Sequence, residues 1–380
     1  MIKANEACCG CSACVLKCPQ KCISMMASED GFDYPYVDVA QCVGCGLCET
    51  VCPINKLKPV GNAQKVTYIG YSYHPAERKA SSSGGVFSLL ATEILRQGGL
   101  VFGAAFDDAW NVHHVGITDD EKLDILRRSK YVQSSTGTTY QEAKTALETG
   151  QTVLFTGTPC QIAGLKSYLG KEYPSLYTVD LICHGVPSPK LWGKYTRELV
   201  DRYDSPIQSV SFRNKETGWN DFSVCIEFKN GEIYSAKFSS DPYMQIFLSN
   251  MCLRSSCYTC AFKGERYHSD LTLGDAWGIG KTHPIKEDNQ GTSVVVVNTQ
   301  KGRLLLEKLE GKWNGEIIEY DFVSENIAYI ESASKHPLRK KFIRALNSGD
   351  SMERMAALTK RRLIDKVAGK IKRLMGEIFH

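Results

Sequence analysis

"CCGCSACVLKCP", residues 8–19, and "CVGCGLCETVCP", residues 42–53, place cysteine at the same four offsets, and each run closes on Cys-Pro. The shared spacing is C-x2-C-x2-C-x3-C-P: Cys8, Cys11, Cys14 and Cys18, then Cys42, Cys45, Cys48 and Cys52. Two such runs predict a bacterial-type two-cluster ferredoxin fold, in which three close thiolates grip one 4Fe-4S cluster and the remote fourth of each run ligates the other. On that rule Cys8, Cys11, Cys14 and Cys52 hold one cluster, and Cys42, Cys45, Cys48 and Cys18 hold its twin. Zinc knuckles would instead group the cysteines as two separated C-x2-C pairs. Gly10, Ser12, Ala13, Gly44 and Gly46 let the backbone wrap closely around the sulfurs. Cys9 and Cys22 fall outside the pattern and read as small buried fillers.

Working outward, the 380 residues suffice for a small domain and a larger one. Apolar content of 43% and charged content of 23% are globular values, and no apolar run approaches membrane-span length. The opening MIKANEACCG has no apolar export segment, so a reducing, cytoplasmic compartment is expected, where clustered cysteines mean metal or redox chemistry. The net charge of +4 has a local source, a basic surplus within residues 356–380. The remainder is nearly neutral, so no nucleic-acid partner is expected.

Residues 57–65 read as a polar linker behind a ferredoxin domain at 1–56. Residues 66–335 then alternate strands with helices. "VTYIGYSY", "GGVFSLLATEILRQGG" and "LVFGAAF" suggest one strand, helix, strand unit, and residues 138–183 a second. "SVSFRN" and "FSVCIEFKNGEIYSAKF" suggest an antiparallel insertion, and "TSVVVVNT" a late buried strand. The expected class is α+β: the ferredoxin fold, then a larger mixed α/β domain with an antiparallel insertion and a C-terminal amphipathic helix. The tail, 336–380, ends in that basic helix, which fits either peripheral contact with an anionic membrane surface or docking on the protein.

Four constellations carry possible chemistry. Ser82, Ser83, Gly84 and Gly85 form a turn feeding a helix, suited to an anion such as a dinucleotide pyrophosphate and equally to plain capping. Lys130 and Tyr131 in "RRSKYVQS" would suit a phosphate or a flavin edge, or form a solvated helix end. Cys160 opens a helix after a strand, and Cys183 and His184 end the next strand, at the carboxyl edge where α/β sheets bind ligands. Cys252, Cys257 and Cys260 have the spacing C-x4-C-x2-C that begins a plant-type iron–sulfur pattern, a fourth thiolate coming from Cys160 or Cys183; structural zinc is the alternative.

"FTGTPCQIAGL", "DLICHGVPSP" and "CYTCAFKGERYHSDLTLGDAWG", in this order behind a two-cluster module, resemble the coenzyme F-420 hydrogenase/dehydrogenase beta-subunit family across most of residues 1–290. The resemblance implies FAD in the large domain beside a third 4Fe-4S cluster. Its pattern matches Cys160, Cys183, Cys257 and Cys260 as ligands, leaving Cys252, which spacing favoured, as alternate ligand or neighbour. It also implies flavin contacts at "SSSGGVF" and "SKYVQS"; Asp275, with Asp270 and Trp277, is a further candidate for that pocket.

The function so implied is an iron–sulfur flavoprotein oxidoreductase. Electrons from ferredoxin or another redox protein would pass through the N-terminal clusters and the third cluster to FAD, and on to a small organic acceptor, deazaflavin coenzyme F-420 or another. His184 is the candidate proton donor, because its unperturbed pKa lies near working pH. The alternative is an electron-transfer subunit that serves a partner enzyme and has no substrate of its own.

Overall fold

The computed structural model describes residues 2, 3, 5–57, 65–264, 266, 268–281, 283, 288–324 and 326–360. The middle of the expected linker and the basic segment 361–380 lie outside the described residues, so the expected tail helix and its membrane contact lie there too.

In the N-terminal module each cysteine run bends through left-handed backbone before a short helix. Ser12 at φ 60° precedes the helix Ala13–Lys17, and Gly46 at φ 74° precedes Leu47–Thr50. Left-handed turns aim successive side chains inward, and glycine adopts them without steric cost. Between the runs, β1 (Ile23–Ala27) and β2 (Asp33–Val37) pair antiparallel, with Ile23 opposite Val37.

The large domain is built on an eight-stranded sheet among the described residues. Its strands are β3 (Val66–Gly70), β4 (Leu100–Phe106), β5 (Val112–Ile117), β6 (Val153–Gly157) and β7 (Leu176–Leu181), joined later by three more. The second sheet consists of β8 (Ile207–Asn214), β9 (Ser223–Phe228) and β10 (Ile233–Lys237), wholly antiparallel, as the sequence suggested. Then β11 (Leu271–Asp275), β12 (Ser293–Val297) and β13 (Glu316–Ile318) return to the first sheet, whose order is β13-β3-β12-β11-β7-β6-β4-β5.

The centre, β11-β7-β6-β4, is parallel, and both flanks are antiparallel. Parallel strands are covered on both faces, and accordingly Val153, Leu154 and Phe155 of β6 are all fully buried. The helix Val86–Arg96 buries Val86, Leu89, Leu90, Ala91, Ile94 and Leu95 on the sheet. Each full burial of a Leu or Ile stabilises by roughly 1.5–3 kcal/mol relative to exposure.

The expected strand, helix, strand order is present here. β3 and β4, joined by that helix, are not neighbours: four strands separate them, because β3 pairs with the wholly buried valines of β12 instead. The helices Arg339–Ser348 and Met352–Ala357, within the segment read as a tail, bury Phe342, Leu346, Met352 and Met355 in the same core as Trp192, Phe212 and Tyr243.

The two domains share one core. Cys9, Cys11, Ala13, Cys14 and Val51 pack with Tyr140, Phe155, Ile162 and Leu165 of the large domain. Thr136 Oγ1 donates to the Cys11 carbonyl (3.1 Å) and Ser167 Oγ to the Val51 carbonyl (2.7 Å). Among the described residues no helix is long and apolar enough to cross a membrane.

Candidate iron–sulfur and flavin sites

The second cysteine set of the N-terminal module lines one cavity: Cys18 from the first run faces Cys42, Cys45 and Cys48 from the second. Cys22, expected to be filler, lines it too, with its Sγ 3.4 Å from that of Cys18. In the first set, burial pushes the Cys14 thiol up to about 12, and the nearby sulfurs of Cys8 and Cys52 push the same way. Iron–sulfur ligation requires thiolate, and a buried thiolate needs a positive neighbour. The donor sets therefore fit iron, which supplies that charge.

The large-domain set is assembled by the fold. Strand β6 ends at Gly157, and Thr158 starts the helix Pro159–Leu169 with a reciprocal capping box to Gln161, which fixes Cys160 in the first turn. The adjacent parallel strand β7 ends at Leu181 and delivers Cys183 at the same edge. The third segment is tied to that edge by backbone pairing of Leu253 with Pro187 and of Arg254 N with the Val186 carbonyl (3.1 Å). It continues into the short 3-10 helix Ser255–Thr259, which brings Cys257 and Cys260 round.

All four thiols line one cavity of ≈ 50 Å³ together with Cys9, His184 and Lys263. Burial pushes Cys183 up to about 12, and the Lys263 ammonium opposes that rise. Cys257 is raised further by burial and by Cys183. Lys263 itself donates to the carbonyls of Cys183 and Ala328. Four half-buried cysteines lining one cavity beside a cation fit a four-thiolate iron–sulfur site.

Cys252 does not line this cavity. It is 2% exposed in the apolar core, and its carbonyl accepts from Ser188 N (3.0 Å). Cys9, expected to be filler, does line it and lies against Cys160; that contact, followed by burial, raises the Cys160 thiol. His184 pairs its Nε2 with Asn250 Oδ1 at 2.6 Å, and burial lowers its pKa.

The segments expected at a flavin also meet. Ser82 Oγ accepts from Ser129 N (2.8 Å), joining "SSSGG" to "SKYVQS". Gly85, at φ 91°, opens the helix Val86–Arg96 with no side-chain cap, and Ser83 Oγ donates to the Thr292 carbonyl. Gly84 must be glycine: a Cβ there would lie 2.4 Å from the Gly70 carbonyl oxygen. Cations gather round this turn. Lys215 Nζ donates to the carbonyls of Arg78 and Ser83, and Arg127 Nε to Ser88 Oγ. Lys130, whose pKa burial lowers to about 7, donates to the carbonyls of Ile125 and Arg127.

Arg213, from β8, pairs with Asp275 at the end of β11 at 2.6 Å. Its Nε and Nη2 are nevertheless buried without a hydrogen-bond partner, as are Asp275 Oδ1 and Trp219 Nε1. The Arg213 charge reaches Tyr131, where it opposes a burial-driven rise in the phenol pKa. Buried polar atoms are nearly always satisfied. An uncapped helix N-terminus among cations, beside orphaned donors and acceptors, fits an anionic, heteroaromatic ligand such as a flavin nucleotide.

Sequence reasoning missed Arg213, Gln133 and Arg254. A lone charge between cysteines in "CLRSSC" was the one available signal for Arg254. Asp270 is buried at β11 and accepts from Thr178 N and Oγ1, a structural role. Trp277 stacks on Trp219 at 4.3 Å.

Residues 7–56 match the 4Fe-4S dicluster domain, and residues 150–321 match the family described as the C terminus of the coenzyme F420 hydrogenase/dehydrogenase beta subunit. The chain is 25% identical over 316 residues to a coenzyme F420-dependent sulfite reductase of Methanocaldococcus jannaschii, covering 80% of this chain and 46% of that protein. It is 35% identical over 66 residues to NADH-quinone oxidoreductase subunit I 2 of Geobacter metallireducens, covering 16% of this chain and 50% of that protein. A chain of the F420-reducing [NiFe] hydrogenase complex from Methanosarcina barkeri superposes with a TM-score of 0.47 at 16% identity, covering 77% of this chain and 90% of that one. The chain spans about half the length of the curated relatives it matches. It carries, behind a 4Fe-4S dicluster domain, a C-terminal domain of the coenzyme F420 hydrogenase/dehydrogenase beta-subunit family.

Proposed function

We propose that the protein is an iron–sulfur flavoprotein oxidoreductase with three 4Fe-4S clusters and one FAD, linking a one-electron donor such as a ferredoxin to a small organic acceptor. The observation that carries this reading is the convergence of Cys160, Cys183, Cys257 and Cys260 on one cavity that Cys9 of the N-terminal module also lines. When bound, clusters relay single electrons and a flavin exchanges single electrons for pairs.

The chain's own residues then have distinct tasks. The twelve thiols Cys8, Cys11, Cys14, Cys18, Cys42, Cys45, Cys48, Cys52, Cys160, Cys183, Cys257 and Cys260 hold iron. Ser82 and the helix N-terminus at Gly85 hold phosphate. Arg213 and Asp275 offer a donor and an acceptor to the planar ring. His184, beside Asn250, holds a proton near the third cluster. Similarity to a coenzyme F420-dependent sulfite reductase supports testing deazaflavin first as acceptor.

Anaerobically purified protein should contain about 12 iron atoms, from three four-iron clusters, and one FAD. About eight iron atoms would remove the third cluster, and absent flavin would leave an electron-transfer subunit. Flavin reoxidation by a candidate acceptor, measured with and without partner proteins, separates an enzyme from such a subunit.

A further inference from the structure

Four arginines are buried among the described residues: Arg78, Arg213, Arg254 and Arg339. Three have a carboxylate at ion-pair distance: Asp288 for Arg78, Asp275 for Arg213 and Asp30 for Arg339. Arg254, at 1% exposure the most buried, has none. Burying an unpaired charge is strongly unfavourable, so buried charges are paired or face a charged group.

The contacts of Arg254 point to that group. It belongs to the segment that supplies Cys257 and Cys260, yet its side chain crosses into the N-terminal module. Nε donates to the Cys8 carbonyl (2.7 Å), Nη2 donates to the Asp33 carbonyl (2.8 Å), and Nη2 lies 3.8 Å from Cys8 Sγ. Nη1 donates to Gln133 Oε1 (2.9 Å), and Gln133 Nε2 in turn holds the Cys9 carbonyl (3.0 Å). The Tyr34 ring lies 4.2 Å from the guanidinium carbon. The seat is fitted to the group: Gly10 has φ +72°, and a Cβ there would meet Nη1 at 2.8 Å. Arg254 also lines the cavity of the four large-domain thiols.

We propose that Arg254 is the shared counter-cation of the Cys8 cluster and the large-domain cluster, a positioning residue that raises the reduction potential of the first. For the large-domain cluster this rests on the reading under Proposed function; for the Cys8 cluster it rests on the dicluster domain alone. Both groups are anionic when ligated by four thiolates, and a fixed cation in a low-dielectric site favours the more negative, reduced state. Three donated hydrogen bonds keep the cation in place.

The test is an EPR-monitored redox titration of full-length protein, with iron counted first. Arg254→Gln removes the charge and keeps hydrogen-bonding capacity; Arg254→Lys keeps the charge and loses the fork. The expected result is a lower potential for the Cys8 cluster in Arg254→Gln, by at least a tenfold change in the oxidised-to-reduced ratio at fixed potential, about 59 mV for one electron. In Arg254→Lys the potential should stay near wild type. Equal shifts in both variants, or none in either with iron intact, overturn the proposal in favour of packing alone. If Arg254→Gln loses the cluster, Arg254→Lys decides: a wild-type potential supports the charge role and a lowered one overturns it. A wild-type iron count of about eight would overturn the third cluster and the sharing, while the Cys8 shift would still be read on its own.

Discussion

The N-terminal module and the large domain each gather cysteines round a cavity, but from chain segments of opposite kind. In the first, left-handed turns at Ser12 and Gly46 wrap a few consecutive residues, and the spacing itself defines the site. In the second, Cys160, Cys183, Cys257 and Cys260 arrive from two strand ends and a 3-10 turn, so the site exists only after β6, β7 and the Leu253–Pro187 bridge have formed. Local ligand sets can be ordered by the metal they bind. Non-local ones depend on a scaffold whose stability comes from burial elsewhere.

The largest test of that contrast is ligand removal. Cys160→Ser should reduce iron from about 12 to about eight per chain while the sheet and the N-terminal clusters persist, whereas Cys252→Ser should leave iron unchanged. Iron analysis with EPR of the reduced protein reads both. If Cys252→Ser costs four irons, the plant-type spacing was the better guide and the cavity is not the site.

The proposed flavin site tests the scaffold from another side. Arg213→Lys keeps a positive charge opposite Asp275 but removes the two buried N–H groups that have no partner. Two hydrogen bonds at about 1 kcal/mol each should lower flavin affinity at least about tenfold. Flavin retained after gel filtration measures it, with iron content unchanged as the control.

How much of this was legible follows the same division. The ferredoxin runs could be read residue by residue, because ligand spacing is local. Most strands were legible too, since "LVFGAAF", "TVLFTG" and "SVVVV" are apolar runs flanked by turn residues. The neighbour of β3 was not legible, because register against β12 depends on which of several apolar strands meet. Arg213 was invisible for the same reason, since a charged residue in sequence carries no mark of being buried or of what it will face; Arg254 had only its place between cysteines to mark it. For the large-domain set, spacing offered Cys252, Cys257 and Cys260 with a fourth from Cys160 or Cys183, and only family resemblance chose the proposed four over Cys252, which lies in the core.

A scaffold-built site also inherits the scaffold's pH dependence. Asp180 on β7, three residues before Cys183, is fully buried, and burial pushes its carboxyl up to about 8 against hydrogen bonds from Thr272 and Ser269. In the unfolded chain the same carboxyl titrates near 3.9. The stability it allows is therefore complete below about pH 4 and falls as pH rises toward 8, by about 2 kcal/mol between pH 6 and 8. Asp180→Asn should flatten that slope in denaturant unfolding of the large domain. A slope unchanged by the substitution would assign the pH dependence to another group.

The smallest expected effect bears on whether the two regions are independent at all. Gly164 lies in the helix Pro159–Leu169 of the large domain, where a Cβ would sit 2.8 Å from the Cys11 Cβ and 3.0 Å from its Sγ. On an isolated helix Gly→Ala stabilises by about 1 kcal/mol, whereas overpacking costs about 1–3 kcal/mol. Gly164→Ala should therefore destabilise by about 1 kcal/mol in net, and it should do so by displacing Cys11, a proposed cluster ligand in the other domain. Faster loss of visible absorbance from the Cys11 cluster in air, at unchanged initial iron, is the expected signature. A variant more stable than wild type with unchanged bleaching would mean that Cys11 can yield. The shared core around Cys11, Tyr140 and Ile162 would then be a contact between separable modules and not a common foundation.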